Sequence, residues 1–461
     1  MTEPTPSHVT AVGLPGDLHP GGTAPEGPHL DSGSGGLSRR QFLALAGGVG
    51  AAGALGVALG PRAWDTVFAG GRPAQGTIAP VGRRLVLVTL YGGNDGLNTV
   101  VPSGDPHYVA ARGGLAVDPT ALLPVSDGYS FHPALTGFKK LWDAKHLAVV
   151  HGVGFAKPNY SHFESMDIWQ SGVGGTPDGT GWVGRWLDRM NASPLRALGI
   201  GPNVPLALTG ANIQGATLPG GTVRFPGSAR EQSLVAQLSG TSHSEAQLAA
   251  AVAHADSDLM EVKRRIGGIL DRTAATDPLH LRHPGTGGAG ALAIAAGGGG
   301  RSAPGVLATQ LSLVANLVLA GAPTEVYSVQ LGGFDTHSDQ APTQTLLLGE
   351  LDTAVTAFVD ALAHDPKGRE TVVVVYTEFG RRVTGNASGG SDHGWANVVF
   401  VAGAPVKGGW YGEPPSLTTL SDGNLIFTTD FRSVYATILE SVLGVDPKLF
   451  LGGRFPGLNF L

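Results

Sequence analysis

Carboxylates and imidazoles recur in short glycine-rich or aromatic turns of this chain. Acidic groups crowded at one place repel one another unless they are protonated or bound to cations. Carboxylates together with imidazoles are typical ligands of zinc, manganese, iron or calcium. The sequence therefore predicts a divalent metal site of one or two ions, whose candidate ligands are Asp95, Asp335, His337, Glu378 and His393.

The elements that would position these groups are strands. Residues 84–91, 325–331 and 371–377 are rich in β-branched residues and leucine, as strands covered on both faces are. A carboxylate follows each of them within a few residues. Because ligands in open α/β sheets bind at the carboxyl ends of the strands, we expect these groups to converge.

Strand and helix patterns alternate along the chain. Further strands are predicted at 146–150 and 397–402, and helices at 242–272, 306–320, 343–363 and 431–442. The predicted class is α/β, with a doubly wound, mainly parallel sheet and helices on both faces. We expect a single domain over residues 80–461 with a flexible glycine-rich loop at 285–305.

Composition excludes several kinds of site. The 461 residues contain no cysteine, which excludes disulfides, thiolate metal sites and thiol nucleophiles. The formal net charge is −6, and the body of the chain has no long basic run, so a nucleic-acid partner is disfavoured. The sequence leaves the oligomeric state open.

The N-terminal segment has the pattern of an export signal. Residues 1–37 are rich in Pro, Gly, Ser and Thr and are predicted to be disordered. Residues 38–69 hold Arg39-Arg40 before a weakly apolar stretch, which matches a twin-arginine signal with cleavage after Ala69. We expect export to the periplasm or the cell exterior, with no stable membrane span after cleavage. The alternative is a glycine-rich helix with a chance arginine pair.

Each motif also has an ordinary structural explanation. The turn holding Asn94 and Asp95 suits positive φ angles, and Asp392-His393 could cap a helix or a turn. Arg381-Arg382 could be a solvated pair or an anion clamp. Trp182 and Trp186 could stack on a sugar, although core packing is the favoured interpretation. The combination of motifs, more than any one of them, favours a site.

Five motifs follow one another along the chain: Tyr91–Thr99, Asn159–Ser165, Phe334–His337, Thr377–Arg382 and Asp392–Gly394. In this order they resemble a known family, numbered 1501 among the domains of unknown function, whose members typically carry twin-arginine signals. That family looks like a branch of the alkaline phosphatase and sulfatase superfamily. The resemblance implies an alkaline-phosphatase-like core with metal at the strand ends.

The resemblance also implies roles for particular residues. Asp95 would bind one metal, while Asp335, His337, Glu378 and His393 would complete the ligand set. Ser161 would be the nucleophile, although it could instead cap a helix that begins near residue 163. Arg381 would hold the non-bridging oxygens of the ester. Further site candidates are Asn94, His162 and Asp392.

One departure limits the resemblance. Many superfamily members have an adjacent Asp-His pair where this chain has Glu378-Phe379. A single metal, or a site completed by His162, would also fit.

The expected function is hydrolysis of phosphate or sulfate esters, with a small-molecule or glycan ester as substrate. The alternative is a non-catalytic exported metal-binding protein whose degenerate site binds carbohydrate or protein. A third possibility is an acidic cluster that binds calcium for stability.

Overall fold

The computed structural model describes residues 82–218, 263–273, 276–281, 302 and 305–461. The predicted extension 1–37, the predicted signal 38–69, most of the loop 285–305 and most of the predicted helix 242–272 lie outside these residues. No helix within the described ranges is long and apolar enough to cross a bilayer.

The described part alternates strands and helices, as predicted. Its strands are β1 (Arg84–Tyr91), β2 (Val100–Val101), β3 (Leu123–Ser126), β4 (Tyr129–Phe131), β5 (Leu147–Gly154), β6 (Ala197–Ile200), β7 (Ala216–Leu218), β8 (Val326–Gly332), β9 (Thr371–Thr377), β10 (Asn397–Ala402), β11 (Gly409–Tyr411), β12 (Leu420–Ser421), β13 (Asn424–Leu425) and β14 (Thr429–Asp430). Its α-helices are α1 (Gly96–Thr99), α2 (His107–Arg112), α3 (Thr136–Asp143), α4 (His162–Ser171), α5 (Trp182–Met190), α6 (Gly268–Thr273), α7 (Val306–Leu319), α8 (Gln340–Ala363) and α9 (Phe431–Ser441).

One mixed, mostly parallel sheet carries the fold. Its strand order is β11-β5-β10-β9-β1-β8-β6-β7, and β14 also pairs with β5. The first strand lies between β8 and β9 and is parallel to both, so Leu87 faces Ser328 on one side and Val374 on the other. The exception is β10, which runs antiparallel to β5 and β9. The α/β class predicted from the sequence is confirmed.

Both faces of the sheet are covered by apolar side chains. Val86 and Val88 of β1 pack in a core that includes residues of α3, α7 and α8. Leu85 and Leu87 point the other way and pack with residues of α4, α5 and α9. Successive strand residues face opposite sides, which is why β1 is apolar throughout. Full burial of each such side chain contributes roughly 1.5–3 kcal/mol.

The tryptophans of α5 belong to this second core. The side chains of Trp182 and Trp186 are completely buried, so the core interpretation favoured from the sequence is confirmed. The ring of Trp182 stacks on that of Tyr435, with centroids 4.7 Å apart.

Element boundaries shift by a few residues from those predicted. The second predicted strand lies one residue later, at Val326–Gly332, and β5 continues to Gly154. Helix α8 begins at Gln340, although the prediction started it after Pro342. Proline is tolerated in the first turn of a helix, because its missing N–H would have no partner within the helix.

Candidate metal centre

The ends of β1, β8 and β9 bring their turns into close contact. Gly92, directly after β1, has a φ of +114°, and a Cβ at this position would lie 2.3 Å from the backbone nitrogen of Asp335. Only glycine permits both this conformation and this approach. The sequence Tyr-Gly-Gly therefore allows the β1 turn to lie against the β8 turn that carries the acidic residue.

Asp335 lies at the centre of the resulting cluster. Its Oδ1 is 3.1 Å from the Nε2 atoms of both His337 and His393. Its Oδ2 is 3.5 Å from Nε2 of His162. Ligand atoms of His162, Asp335 and His393 all lie within 4.8 Å of one another, a spacing that could hold a metal ion.

Oxygen acceptors fix the protonation of two of these imidazoles. Nδ1 of His393 lies 2.8 Å from the carbonyl oxygen of Tyr160, and Nδ1 of His162 lies 2.8 Å from Glu378 Oε1. Carbonyl and carboxylate oxygens only accept, so each Nδ1 carries a proton, and Nε2 is the ring nitrogen that faces Asp335. Nε2 of His162 is buried, and its contact with Asp335 Oδ2, at 3.5 Å, is long for a hydrogen bond.

His337 repeats the arrangement at the exposed side of the cluster. Its Nδ1 is 3.2 Å from Asp392 Oδ1, and the same oxygen accepts a hydrogen bond from the Asn386 side chain. Its Nε2 is 2.9 Å from Nε2 of His393. Three imidazoles are therefore anchored at Nδ1 and direct Nε2 toward the same carboxylate.

This donor set fits a metal ion. A buried imidazole lone pair that faces a carboxylate is unfavourable unless a proton or a cation lies between them. Metal-binding histidines characteristically donate their second ring nitrogen to a carboxylate or carbonyl oxygen, as His162 and His393 do here. Three imidazoles with one carboxylate suit zinc, manganese or iron better than calcium, which prefers oxygen ligands.

Without a bound ion, the pKa shifts of His162 and Asp335 show which positive charge a metal cation would replace. Burial lowers the pKa of His162, but its hydrogen bonds with Asp335 and Glu378 outweigh burial and raise the pKa to about 9. Burial raises the pKa of Asp335, yet hydrogen bonds with His162, His393 and Arg381 hold it well below its usual range. The cluster therefore keeps an ionised carboxylate and attracts a positive charge to His162.

Glu378 was predicted to be a direct metal ligand, and the structure gives it a different position. Its buried side chain accepts from the backbone N–H of Gly92 and from His162 through Oε1, and from the Thr377 hydroxyl through Oε2. Through these contacts Glu378 orients His162 and joins the β9 and β1 turns. The sequence placed it at the right strand end but could not show which neighbour it contacts.

Asp95 was also predicted to be a ligand and is instead a buried helix cap. Its Oδ1 accepts from the backbone N–H groups of Leu97 and Asn98 at the start of α1. Its Oδ2 pairs with Arg112 and Gln340. These contacts saturate the carboxylate and leave no oxygen for a metal.

The neighbouring Asn94 is equally engaged. Its side chain exchanges hydrogen bonds with the Thr99 hydroxyl, which stabilises the turn around α1. An N-cap signal was present in the sequence, because Asp is among the preferred residues before a helix.

Arg381 cannot hold an ester in the way predicted. Its guanidinium is completely buried, and it ties the strand-end turns to one another. It donates to Asp335 and to the backbone carbonyls of Gly92, Gly93, Phe334 and Ser391. The residue is therefore a structural cation that positions Asp335.

Ser161 occupies the N-cap of α4, the alternative that the sequence left open. Its Oγ accepts a long 3.4 Å hydrogen bond from the backbone N–H of Glu164. The hydroxyl is exposed and directly precedes His162. The side chain of Asp392, a further site candidate, contacts the cluster through its hydrogen bond with His337.

Several solved structures are similar in fold to this chain. A protein of the alkaline phosphatase superfamily from Vibrio parahaemolyticus is 10% identical, with a TM-score of 0.38 over 85% of this chain and 77% of its own. The lipoteichoic acid synthase LtaP from Listeria monocytogenes is 9% identical, with a TM-score of 0.35 over 85% of this chain and 80% of its own. A phosphonate monoester hydrolase from Silicibacter pomeroyi is 10% identical, with a TM-score of 0.32 over 81% of this chain and 77% of its own. Similarity this low carries no information about activity.

None of the curated proteins matches the chain, but one protein family does. Residues 148–455, more than half of its length, match the family described as a protein of unknown function (DUF1501). The resemblance identified from the five motifs is thereby confirmed, and the chain belongs to the DUF1501 family.

Proposed function

We propose that this protein is a metal-dependent hydrolase of phosphate or sulfate esters. The observation that carries the proposal is the convergence of three Nδ1-anchored imidazoles on Asp335, with the buried Nε2 of His162 directed at its Oδ2 from 3.5 Å. The side chains of His337 and Asp335 are 45% and 29% exposed. A purely structural metal site is normally closed, whereas a catalytic site keeps an open position, so this exposure favours catalysis.

The proposed ligands are His162, Asp335, His337 and His393. A bound divalent ion would act as a Lewis acid, lowering the pKa of a nearby hydroxyl and neutralising charge on the ester. The chain itself supplies the rigidity of the site. Glu378 and the Tyr160 carbonyl hold two of the rings in place, and Arg381 holds the carboxylate.

Ser161 is the proposed nucleophile. Its hydroxyl is exposed beside His162, and its one described hydrogen bond, from Glu164, is long. It lies at the N-terminus of the ten-residue helix α4, where backbone N–H groups stabilise anions. The serine oxygen would bond to phosphorus or sulfur as the bond to the leaving oxygen breaks and its proton passes to solvent. The alcohol leaves, and water then releases the acid and regenerates the serine.

The test combines metal analysis with a substrate panel. The full chain, purified without chelator, should hold at least one equivalent of zinc, manganese or iron. An Asp335→Ala/His337→Ala double variant should lose it. Aryl phosphate and aryl sulfate esters should be turned over by the wild type only. A protein that folds identically with and without these residues and holds no metal would refute the proposal.

A non-catalytic metal-binding role is the second candidate, and the capping bond of Ser161 favours it. In that case the metal would be present and would raise the melting temperature, but no ester in the panel would be hydrolysed. Carbohydrate or protein binding at the same surface would then become the activity to examine.

Export by the twin-arginine route remains part of the proposal, since residues 38–69 lie outside the described ranges. Cell fractionation and N-terminal sequencing of the mature protein test it. An Arg39→Lys/Arg40→Lys double variant should accumulate uncleaved inside the cell.

A further inference from the structure

Arg382, which follows Arg381 in the sequence, has a partly exposed guanidinium that a ligand can reach, whereas the guanidinium of Arg381 is buried. The Arg382 side chain is 36% exposed, and its Nη2 lies 3.4 Å from Oδ2 of Asp422, which is itself 76% exposed. Exposed ion pairs of this kind contribute about 0–1 kcal/mol. The guanidinium can therefore exchange this partner for another anion at little cost.

The backbone of Arg382 is fixed at the edge of the cluster. Its N–H donates to the carbonyl of Asp392 at 3.0 Å, and its carbonyl accepts from Nη1 of Arg112 at 3.0 Å. The preceding residue forms an isolated antiparallel bridge with His393. A rigid backbone with a loosely held side chain is the arrangement expected of a group that contacts a ligand.

Tyr160 connects this side chain to the proposed metal ligands. Its carbonyl accepts from Nδ1 of His393, and its hydroxyl accepts from the Asn424 amide. Cζ of Arg382 lies 5.9 Å from the centroid of its ring. This is within the range of a cation–π contact, which supports the guanidinium without occupying its N–H donors.

We propose that Arg382, supported by the ring of Tyr160, binds the non-bridging oxygens of the anionic ester. The proposal rests on the function proposed above and assigns to Arg382 the role that the sequence suggested for Arg381. A guanidinium offers two parallel N–H donors that match a phosphate or sulfate group, which an ammonium cannot reproduce.

The experiment measures binding of inorganic phosphate to the zinc-loaded full chain by isothermal titration calorimetry. Arg382→Ala should weaken the Kd by about 10- to 100-fold, the range for a lost hydrogen bond to a charged group. Arg382→Lys should recover part of the loss. Zinc content and melting temperature should stay unchanged, which a merely structural role for Arg382 would not allow.

The matched control is Arg369→Ala. Arg369 is 64% exposed and lies 3.9 Å from Glu370, so it too makes a weak surface pair, but it precedes β9, at the other end of that strand from Arg382. Its removal should leave the phosphate Kd unchanged.

The outcomes separate this inference from the proposed function. Equal phosphate affinity, or equal kcat/KM on an ester, in wild type and Arg382→Ala overturns the role of Arg382 alone. Binding that depends on Arg382 without hydrolysis of any ester supports the inference and removes the proposed hydrolase. A zinc-loaded wild type that neither binds phosphate nor hydrolyses any ester of the panel overturns both.

Discussion

Asp95 and Asp335 follow adjacent parallel strands in similar glycine-containing turns, yet their surroundings are opposite. Asp95 is buried and saturated by two backbone N–H groups, Arg112 and Gln340. Asp335 is partly exposed, and its partners are one arginine and three imidazoles. The partners of the first carboxylate are donors that hold it in place. The imidazoles around the second direct Nε2 toward it, and each Nε2 can bind a cation once it carries no proton.

The difference shows that position at a strand end does not by itself make a carboxylate a ligand. An arginine remains charged and consumes the acceptor capacity of a carboxylate. An imidazole anchored at Nδ1 leaves its Nε2 lone pair for a cation. Two acidic turns at one end of a sheet can therefore serve stability and chemistry separately.

Removing each carboxylate should affect metal binding differently, and this is the largest expected effect. Asp95→Ala leaves Arg112 buried without its partner, so the free energy of unfolding should fall by about 3–5 kcal/mol, while metal content stays at the wild-type level. Asp335→Ala should abolish metal binding, and it should also destabilise the metal-free protein, because it removes the carboxylate partner of the buried Arg381. Urea denaturation and elemental analysis of both variants provide the measurement. Loss of metal in the Asp95 variant alone would contradict the comparison.

Metal affinity should depend on pH because an ion must displace the proton of His162. Without an ion, burial lowers the pKa of His162, but hydrogen bonds with Asp335 and Glu378 raise it to about 9. Below that pH the ion competes with one proton, so apparent zinc affinity should rise about tenfold per pH unit from pH 7 to 9 and then level off. Calorimetry in buffers of different ionisation enthalpy should detect the released proton. An affinity independent of pH would show that His162 is not a ligand.

Replacing the carboxylate that orients His162 should produce a smaller loss. Glu378→Gln retains the shape of the side chain but removes its charge, so metal affinity should fall about tenfold, the low end for groups that orient ligands. Glu325→Gln is the control, because Glu325 pairs with Arg196 away from the cluster. Competition with a metallochromic chelator measures the metal affinity of both variants. Equal affinities in the two variants would exclude an orienting role for Glu378.

The smallest expected effect on stability is at Ser161. Ser161→Ala removes the N-cap of α4 and should cost about 1 kcal/mol. Ser161→Asn should retain the cap, so its stability should be close to that of the wild type. If Ser161 is the nucleophile, both variants should lose turnover while only the alanine variant loses stability. Full turnover in the asparagine variant would leave Ser161 as a capping residue only.

The sequence alone determined the framework of the protein. Runs of β-branched residues identify β1, β9 and β10 at their observed boundaries, because strands buried on both faces must be apolar throughout. The glycine-rich turn after β1 marks a close backbone approach, since a Cβ at Gly92 would collide with the neighbouring turn. His337 follows the same strand as Asp335 and so lies at the same edge of the sheet, whereas His393 precedes β10 and reaches that edge only because β10 runs antiparallel to its neighbours.

Only the tertiary structure decided what each polar side chain does. Nothing near Asp95 in sequence reveals that Arg112 and Gln340 will close on it, and nothing near Arg381 reveals that four backbone carbonyls surround it. These contacts join segments that are far apart in the chain, and their partners depend on how the turns pack. Burial then fixes the outcome, because a buried charge must be paired, whereas the partly exposed Arg382 and, once it loses its proton, Nε2 of His162 can bind a ligand.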